Sequence, residues 1–187
     1  MQRRTGLLLL AVIALLPRSA TGQRDRASDS ERKGLFVYNL MLFVRWPADA
    51  FQNPAEALRV HVIGRDPFDG SLDRLLADKS VDGRRIVVTH SDVPTTAPFP
   101  HVVFVSAAEG PRVARLLAAY CRAPVLTVSD LDRFANRGGV IGLVEEDHTL
   151  RLAVNQTAAS EARLQVSAQL FHLAVPLFSA LSPCGAR

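Results

Sequence analysis

The unbroken apolar run from Val102 to Val105 constrains the fold of this chain most. A strand made only of apolar residues is covered on both faces, as in a parallel sheet that has helices on either side. Three other short runs with strand character lie along the same chain: Leu58–Ile63, Ile86–Val88 and Val125–Val128. Strands of this kind predict a mostly parallel sheet when helices alternate with them.

Helical spacing of apolar residues predicts those helices. It recurs over Phe68–Ala77, after the first strand, and over Glu109–Tyr120, after the third. An earlier helix is predicted to begin at Ser28, which forms a capping box with Glu31, and to end at Pro47. Its broad buried face is expected to hold four residues at spacings of three and four, with three more beside them: Leu35, Tyr38, Leu42 and Trp46, and Phe36, Leu40 and Phe43.

The C-terminal part of the chain breaks the alternation. Val140–Val144 and Leu150–Val154 are predicted to form an antiparallel hairpin. Asn155 can then cap a final helix that is expected to run through Ala174. The predicted fold class is therefore a single-domain α/β protein. Its mostly parallel central sheet is flanked by helices, and a C-terminal antiparallel β-hairpin and a final helix complete it.

The N-terminus has the layout of a secretory signal peptide. Arg3 and Arg4 precede an apolar run from Leu7 to Leu16, and the small residues Ala20-Thr21-Gly22 follow. The run is shorter than the roughly 20 apolar residues that cross a bilayer. We therefore expect residues 1–22 to be a cleaved leader and residues 23–187 to be one domain that lies outside the cytoplasm without membrane insertion.

The charge of the predicted mature chain argues against nucleic-acid binding. Three of the 22 Lys and Arg residues lie in the leader, whereas all 18 acidic residues follow it, so the formal net charge falls from +4 to +1. A nearly neutral domain has no strong field to attract phosphates.

Motifs of catalysis and cofactor binding are missing from the sequence. It contains no G-x-S-x-G, no phosphate-binding glycine loop and no H-E-x-x-H. The histidines, among them His61 and His172, stand without partners at metal-ligand spacing. We therefore predict no enzyme activity, no cofactor and no metal.

Two cysteines, Cys121 and Cys184, are present. In an oxidising compartment such a pair tends to be bridged, although only geometry decides whether the two can meet.

Polar turns follow three of the predicted strands. The carboxyl ends of parallel strands form one rim, where ligands of α/β sheets bind. Candidate ligand-binding residues at this rim are Arg65, Asp66, Phe68 and Asp130. Alternatively, Asp66 starts the next helix and has only a structural role. An unrecognised enzyme site would show as turnover that Asp66→Ala or Asp130→Ala abolishes.

Aromatic and arginine side chains are frequent anchors of protein interfaces. Arg45, Trp46 and Phe51 surround the break at Pro47 and are candidate partner-binding residues. Alternatively, Trp46 closes the core at the end of the first helix.

The order of motifs resembles the YfiR family, the periplasmic repressors of YfiN-type membrane diguanylate cyclases. The resemblance covers about Lys33 to Ala174. It is carried by the following segments: K-x-x-x-x-Y-N-x-x-x-F-V-x-W-P from Lys33, G-x-D-P-F from Gly64, D-G-R-R-I-V-V from Asp82, H-V-V-F-V-S from His101, P-V-L-T-V-S-D from Pro124 and F-A-x-x-G-G-V-I from Phe134. One position departs from the family, since Pro100 stands where such proteins often have a cysteine.

The resemblance implies a periplasmic negative regulator that binds the sensor domain of a membrane diguanylate cyclase and lowers cyclic di-GMP. It also implies a homodimer and an outer-membrane lipoprotein that can sequester the repressor. The alternative is a periplasmic sensor that binds a small ligand without controlling a cyclase.

Overall fold

The computed structural model describes residues 20–146, 149–177 and 179–185. Within these ranges the chain forms five α-helices, which are α1 (Ala20–Leu42), α2 (Ser71–Leu76), α3 (Val113–Ala118), α4 (Gln156–Glu161) and α5 (Ala168–Leu173). The nine described strands are β1 (Val44–Arg45), β2 (Leu58–Ile63), β3 (Ser80–Val81), β4 (Arg84–Ser91), β5 (Val102–Val105), β6 (Leu126–Ser129), β7 (Ile141–Glu146), β8 (Thr149–Val154) and β9 (Gln165–Val166).

Seven of these strands form one mixed sheet in the order β3-β4-β2-β5-β6-β7-β8. The five central strands are parallel, whereas the pairs β3–β4 and β7–β8 are antiparallel. The predicted α/β class, with its C-terminal hairpin and a final helix, is confirmed.

Alternating residues of the central strands pack on opposite faces of the sheet. On β5, Val102 and Phe104 join the larger core with α1, α2, α4 and α5. Val103 and Val105 join the smaller core with α3. All four side chains are buried, as the uninterrupted apolar run predicted.

The prediction for the first helix was wrong in its bounds and only partly right in its buried face, since Leu40 is in the core and Tyr38 packs against it. Ala20 is already helical, so the helix does not begin at Ser28, and it ends at Leu42 because Val44 and Arg45 pair with β9. The residues of this segment that pack in the core are Val37, Leu40, Met41 and Val44. Leu35 and Leu42 are about half exposed, and Trp46 lies outside the helix.

α1 packs against α2 at Gly34. Gly34 is buried between the helices, and a Cβ atom added there would lie 3.5 Å from Cδ2 of Leu75. This distance is an ordinary van der Waals contact. Val37 and Met41 of the same helix are buried in the core, whereas Leu35 is about half exposed.

The predicted final helix, Asn155 to Ala174, was also wrong, since α4, β9 and α5 replace it. Asn155 caps α4 as expected, because its side chain accepts a hydrogen bond from the Ala158 N–H. Arg163 then takes a left-handed conformation with φ of +56° and ends the helical path. Gln165 and Val166 pair with β1 instead, and this tertiary pairing overrides the local helical pattern.

The described part of the chain contains no helix that is both long and apolar enough to cross a membrane. The predicted leader lies mostly outside the described residues, since only Ala20, Thr21 and Gly22 of its 22 residues belong to them.

Candidate functional site at the strand ends

Three turns meet at one rim of the sheet, as the parallel order predicts. They follow β2, β5 and β6, which are neighbours in the sheet. Together with Asp29, Ser30 and Lys33 of α1, these turns line a cavity of about 360 Å³, which we call the strand-end cavity. Its lining comprises Asp29, Ser30, Lys33, Arg65, Asp66, Pro67, Asp69, Ser106, Ala107, Ala108 and Asp130.

An ion pair between Lys33 and Asp130 closes the inner wall of the strand-end cavity. Lys33 Nζ lies 2.5 Å from Asp130 Oδ2, and both side chains are about four-fifths buried. The other oxygen, Oδ1, accepts a hydrogen bond from the Ala107 N–H at 3.1 Å. Asp130 therefore ties α1 and the turn after β5 to the end of β6.

Asp66 has the structural role that the sequence left open. Its Oδ1 accepts from the Phe68 N–H at 2.9 Å, and its Oδ2 accepts from the Gly70 N–H at 2.8 Å. Both oxygens thus hold the turn that leads into α2, although the residue also lines the cavity. Short polar side chains commonly stabilise turns in this way.

The four candidate ligand residues are only partly brought together. Arg65, Asp66 and Asp130 line the strand-end cavity, and Arg65 is exposed. Phe68 is fully buried and packs edge-on against Phe104, with ring centroids 4.7 Å apart. The structure therefore places Phe68 in the core and away from the cavity.

The sequence analysis did not select Lys33 as a site residue, and it placed Ser106 in one of the three rim turns without naming it a ligand residue. Lys33 opens the K-x-x-x-x-Y-N motif, which was the available signal for it. Ser106 is buried, lines the strand-end cavity and is the last residue of the H-V-V-F-V-S motif.

Two of the candidate partner-binding residues build the loop after β1. Trp46 packs partly on the larger core, and its Nε1–H donates to the His101 carbonyl at 3.0 Å. Phe51 lies on this loop, and its ring stacks on the His101 ring with the ring centroids 4.2 Å apart. The guanidinium of Arg84, the first residue of β4, lies 3.8 Å from the centroid of the Phe51 ring. Arg45, by contrast, is exposed on β1.

His101 is a buried anchor of that loop. Its Nδ1 accepts from the Arg59 N–H at 3.0 Å, and its Nε2–H donates to the Ala50 carbonyl at 3.1 Å. Burial, with a contribution from the Arg59 charge, lowers the pKa of His101 to about 4. The ring is therefore neutral at pH 7, in the tautomer that these two hydrogen bonds require.

His61 is buried, and it bonds to side chains of the neighbouring strand β4 that are partly in solvent. Its ring nitrogens lie 2.8 Å from Thr89 Oγ1 and 3.1 Å from Ser91 Oγ. Burial lowers the pKa of His61, so this imidazole also favours its neutral form.

Cys121 and Cys184 are joined by a disulfide bond, with their Cα atoms 5.2 Å apart. The bridge fastens the C-terminal segment to the turn that follows α3. Leu181 N–H donates to Asn136 O, and Asn155 donates to Leu181 O, so hydrogen bonds hold the same segment at a second point.

No group of three or more potential metal-ligating side chains lies together within the described ranges. The two carboxylates of the strand-end cavity that follow strands, Asp66 and Asp130, both accept hydrogen bonds within the protein. The cavity contains hydrogen-bond donors and positive charges that could bind a ligand, among them Arg65, Lys33 and Ser106.

The protein is thus a small α/β domain that has a polar cavity at the carboxyl ends of its parallel strands. The chain belongs to the YfiR/HmsC-like family, whose model matches residues 30–175. This is a family of periplasmic regulators of diguanylate cyclase signalling and not a family of enzymes. No curated protein sequence matches the chain.

Proposed function

We propose that this protein is a periplasmic negative regulator that binds the periplasmic sensor domain of a membrane diguanylate cyclase and lowers cyclic di-GMP. The observation that carries the proposal is the family match over residues 30–175, which spans the sheet and its helices. Regulation of this kind needs no reactive group. It needs a surface whose affinity differs between the active and inactive states of the partner.

Export is part of the proposal. Residues 1–22 would be the leader, and residues 23–187 would be the working domain. The disulfide between Cys121 and Cys184 supports an oxidising compartment, where such bonds persist.

The proposed contact surface centres on Arg45. This side chain is exposed, whereas Trp46 and Phe51 hold the neighbouring loop in place through His101. Trp46 and Phe51 would thus shape the surface, and Arg45 would contact the partner. An arginine presented on a rigid strand is a frequent interface anchor.

Binding of the purified periplasmic sensor domain tests this proposal. We expect Arg45→Glu to weaken binding about 30-fold or more, which corresponds to the loss of about 2 kcal/mol that defines an interface hot spot. Arg115→Glu is the matched control, since Arg115 is exposed on α3 at the opposite face of the sheet. Equal loss in both variants, or no binding by the parent protein, contradicts the proposal.

A deletion strain tests the direction of control. Loss of the gene should raise intracellular cyclic di-GMP and biofilm formation in a strain that holds a YfiN-type cyclase. Unchanged cyclic di-GMP in that strain would show that the protein does not repress the enzyme.

Two assembly states belong to the same proposal. We expect the mature chain to be a homodimer, which sedimentation at micromolar concentration measures directly. We also expect an outer-membrane lipoprotein to sequester the repressor, and a pull-down from solubilised envelope tests this.

The strand-end cavity favours a second candidate function, that of a small-ligand sensor. Its volume of about 360 Å³ falls within the range of small-molecule sites. A ligand that displaces Lys33 from Asp130 would change how α1 is held. Isothermal titration with small amino acids and nucleotides tests this function, with Asp130→Asn as the variant.

A further inference from the structure

A second cavity lies between α1 and α2, on the outer side of their contact. Beside their contact at Gly34 the two helices leave a cavity of about 540 Å³ between them, which we call the α1–α2 groove. Its lining comprises Glu31, Arg32, Leu35, Ser71, Arg74 and Leu75. This volume lies within the range of small-molecule sites.

The body of the α1–α2 groove is apolar. Leu35 is 47% exposed although the sequence pattern assigned it to the buried face, and Leu75 is only partly buried. The apolar side chain of Leu35 is therefore exposed to water inside the groove, where an apolar ligand could cover it. Small-molecule sites are concave and mostly apolar, with a few polar groups that orient the ligand.

Ser71 adds a polar group that the fold itself does not satisfy. The residue is 6% exposed, and its hydroxyl is the one buried side-chain polar atom without a hydrogen-bond partner among the described residues. Buried hydroxyl groups are normally paired, so an unpaired one requires an explanation. A ligand oxygen that accepts from Ser71 would supply the missing partner.

Arg74 is the positive charge of the groove that favours an anionic ligand. The wall also carries Arg32 and Glu31, and Arg32 is paired with Asp29 beside the groove. Arg32 makes only an exposed ion pair with Asp29, which is weak enough to exchange partners. Arg74 has no ion-pair partner within the part of the chain that the structure describes.

We propose that the α1–α2 groove binds a small amphipathic carboxylate. The apolar body of the ligand packs on Leu35 and Leu75, its carboxylate lies against Arg32 and Arg74, and a carboxylate oxygen accepts from the Ser71 hydroxyl. Bidentate pairing with a guanidinium is the favoured geometry for a carboxylate. The proposal does not rest on cyclase control, because the groove is separate from Arg45 and from the strand-end cavity.

The test uses sodium octanoate as the probe and the purified protein, followed by NMR. We expect saturable binding with a Kd of about 1 mM or tighter, which suits a ligand of this size. The largest shifts should fall on Leu35, Ser71 and Leu75. No saturation by 10 mM, on the order of ten times the expected Kd, or shifts centred elsewhere overturn the proposal.

Three variants and one analogue test the assigned contacts. Arg74→Gln should weaken octanoate binding about fivefold, and the matched Arg115→Gln should leave it unchanged. Leu35→Asp should abolish binding while the circular dichroism spectrum stays that of the parent. 1-Octanol, which lacks the charge, should bind more weakly than octanoate. Equal affinity for octanol, or equal affinity in Arg74→Gln, overturns the assignment.

Ser71→Ala separates a binding role from a merely structural one. Removing an unpaired buried hydroxyl should stabilise the free protein and raise its Tm. The same change should weaken octanoate binding about threefold, because the ligand loses a hydrogen bond. A higher Tm with unchanged octanoate affinity overturns the contact between Ser71 and the ligand.

Discussion

Acidification should destabilise this protein mainly through His101. The ring is 1% exposed and neutral, and its Nδ1 must stay unprotonated to accept the Arg59 N–H. A proton on Nδ1 removes that acceptor and places a positive charge beside the Arg59 side chain. Phe51 stacks on the same ring, so the loop that contains Ala50 and Phe51 should loosen first.

The magnitude follows from the two pKa values. The unfolded chain binds the proton with a pKa of 6.5, whereas the folded protein binds it with a pKa of about 4. Because the folded pKa is the lower one, the unfolded state takes up more protons as pH falls, and the folded state loses stability. Between pH 7.5 and pH 5 the loss of unfolding free energy amounts to about 2 kcal/mol. His61, whose pKa is also lowered, adds a loss of the same sign.

Urea unfolding at pH 7.5 and pH 5 measures this loss, and a His101→Gln variant assigns it. Glutamine can donate and accept but does not titrate, so the variant should lose about 2 kcal/mol less than the parent between the two pH values. The parent histidine should titrate below pH 5 in NMR spectra.

Two results would refute the reasoning. One is a His101→Gln variant with the same pH dependence of stability as the parent protein. The other is an NMR titration of His101 near pH 6.5, which would mean that burial does not disfavour the charged ring.

Three other changes have defined consequences for the free energy of unfolding, all measured by urea titration at pH 7. Cys184→Ser opens a bridge with a sequence separation of 63 residues and should cost about 4 kcal/mol by chain entropy, whereas reducing agent should not alter the variant further. Asn155→Ala removes the acceptor of the Ala158 N–H and the hydrogen bonds that Asn155 donates to the carbonyls of Ala135 and Leu181, and we expect a loss of about 3 kcal/mol. A loss below about 1 kcal/mol would contradict the capping role. Gly139→Ala places a Cβ atom 2.0 Å from the Phe134 ring and should cost about 2 kcal/mol or more, whereas unchanged stability would mean that the ring moves freely.

The sequence by itself determined the layers of the fold and the edge of the sheet at which the polar turns meet. Val102–Val105 has to be covered on both faces because every one of its side chains is apolar, and this requires helices on both sides of the sheet. Parallel order then brings Asp66 and Asp130 to one rim, because the carboxyl ends of parallel strands point the same way. Asn155 could be read as a cap because capping is a local interaction.

Only the tertiary structure decided which local patterns prevail and which distant groups meet. The helical pattern after Asn155 yields to the pairing of Gln165 and Val166 with β1, because those hydrogen bonds come from a strand far away in the sequence. Lys33 and Asp130 lie 97 positions apart, and no local periodicity encodes their contact. Local propensities amount to tenths of a kcal/mol for each residue, so packing and long-range pairing override them, and these depend on every element at once.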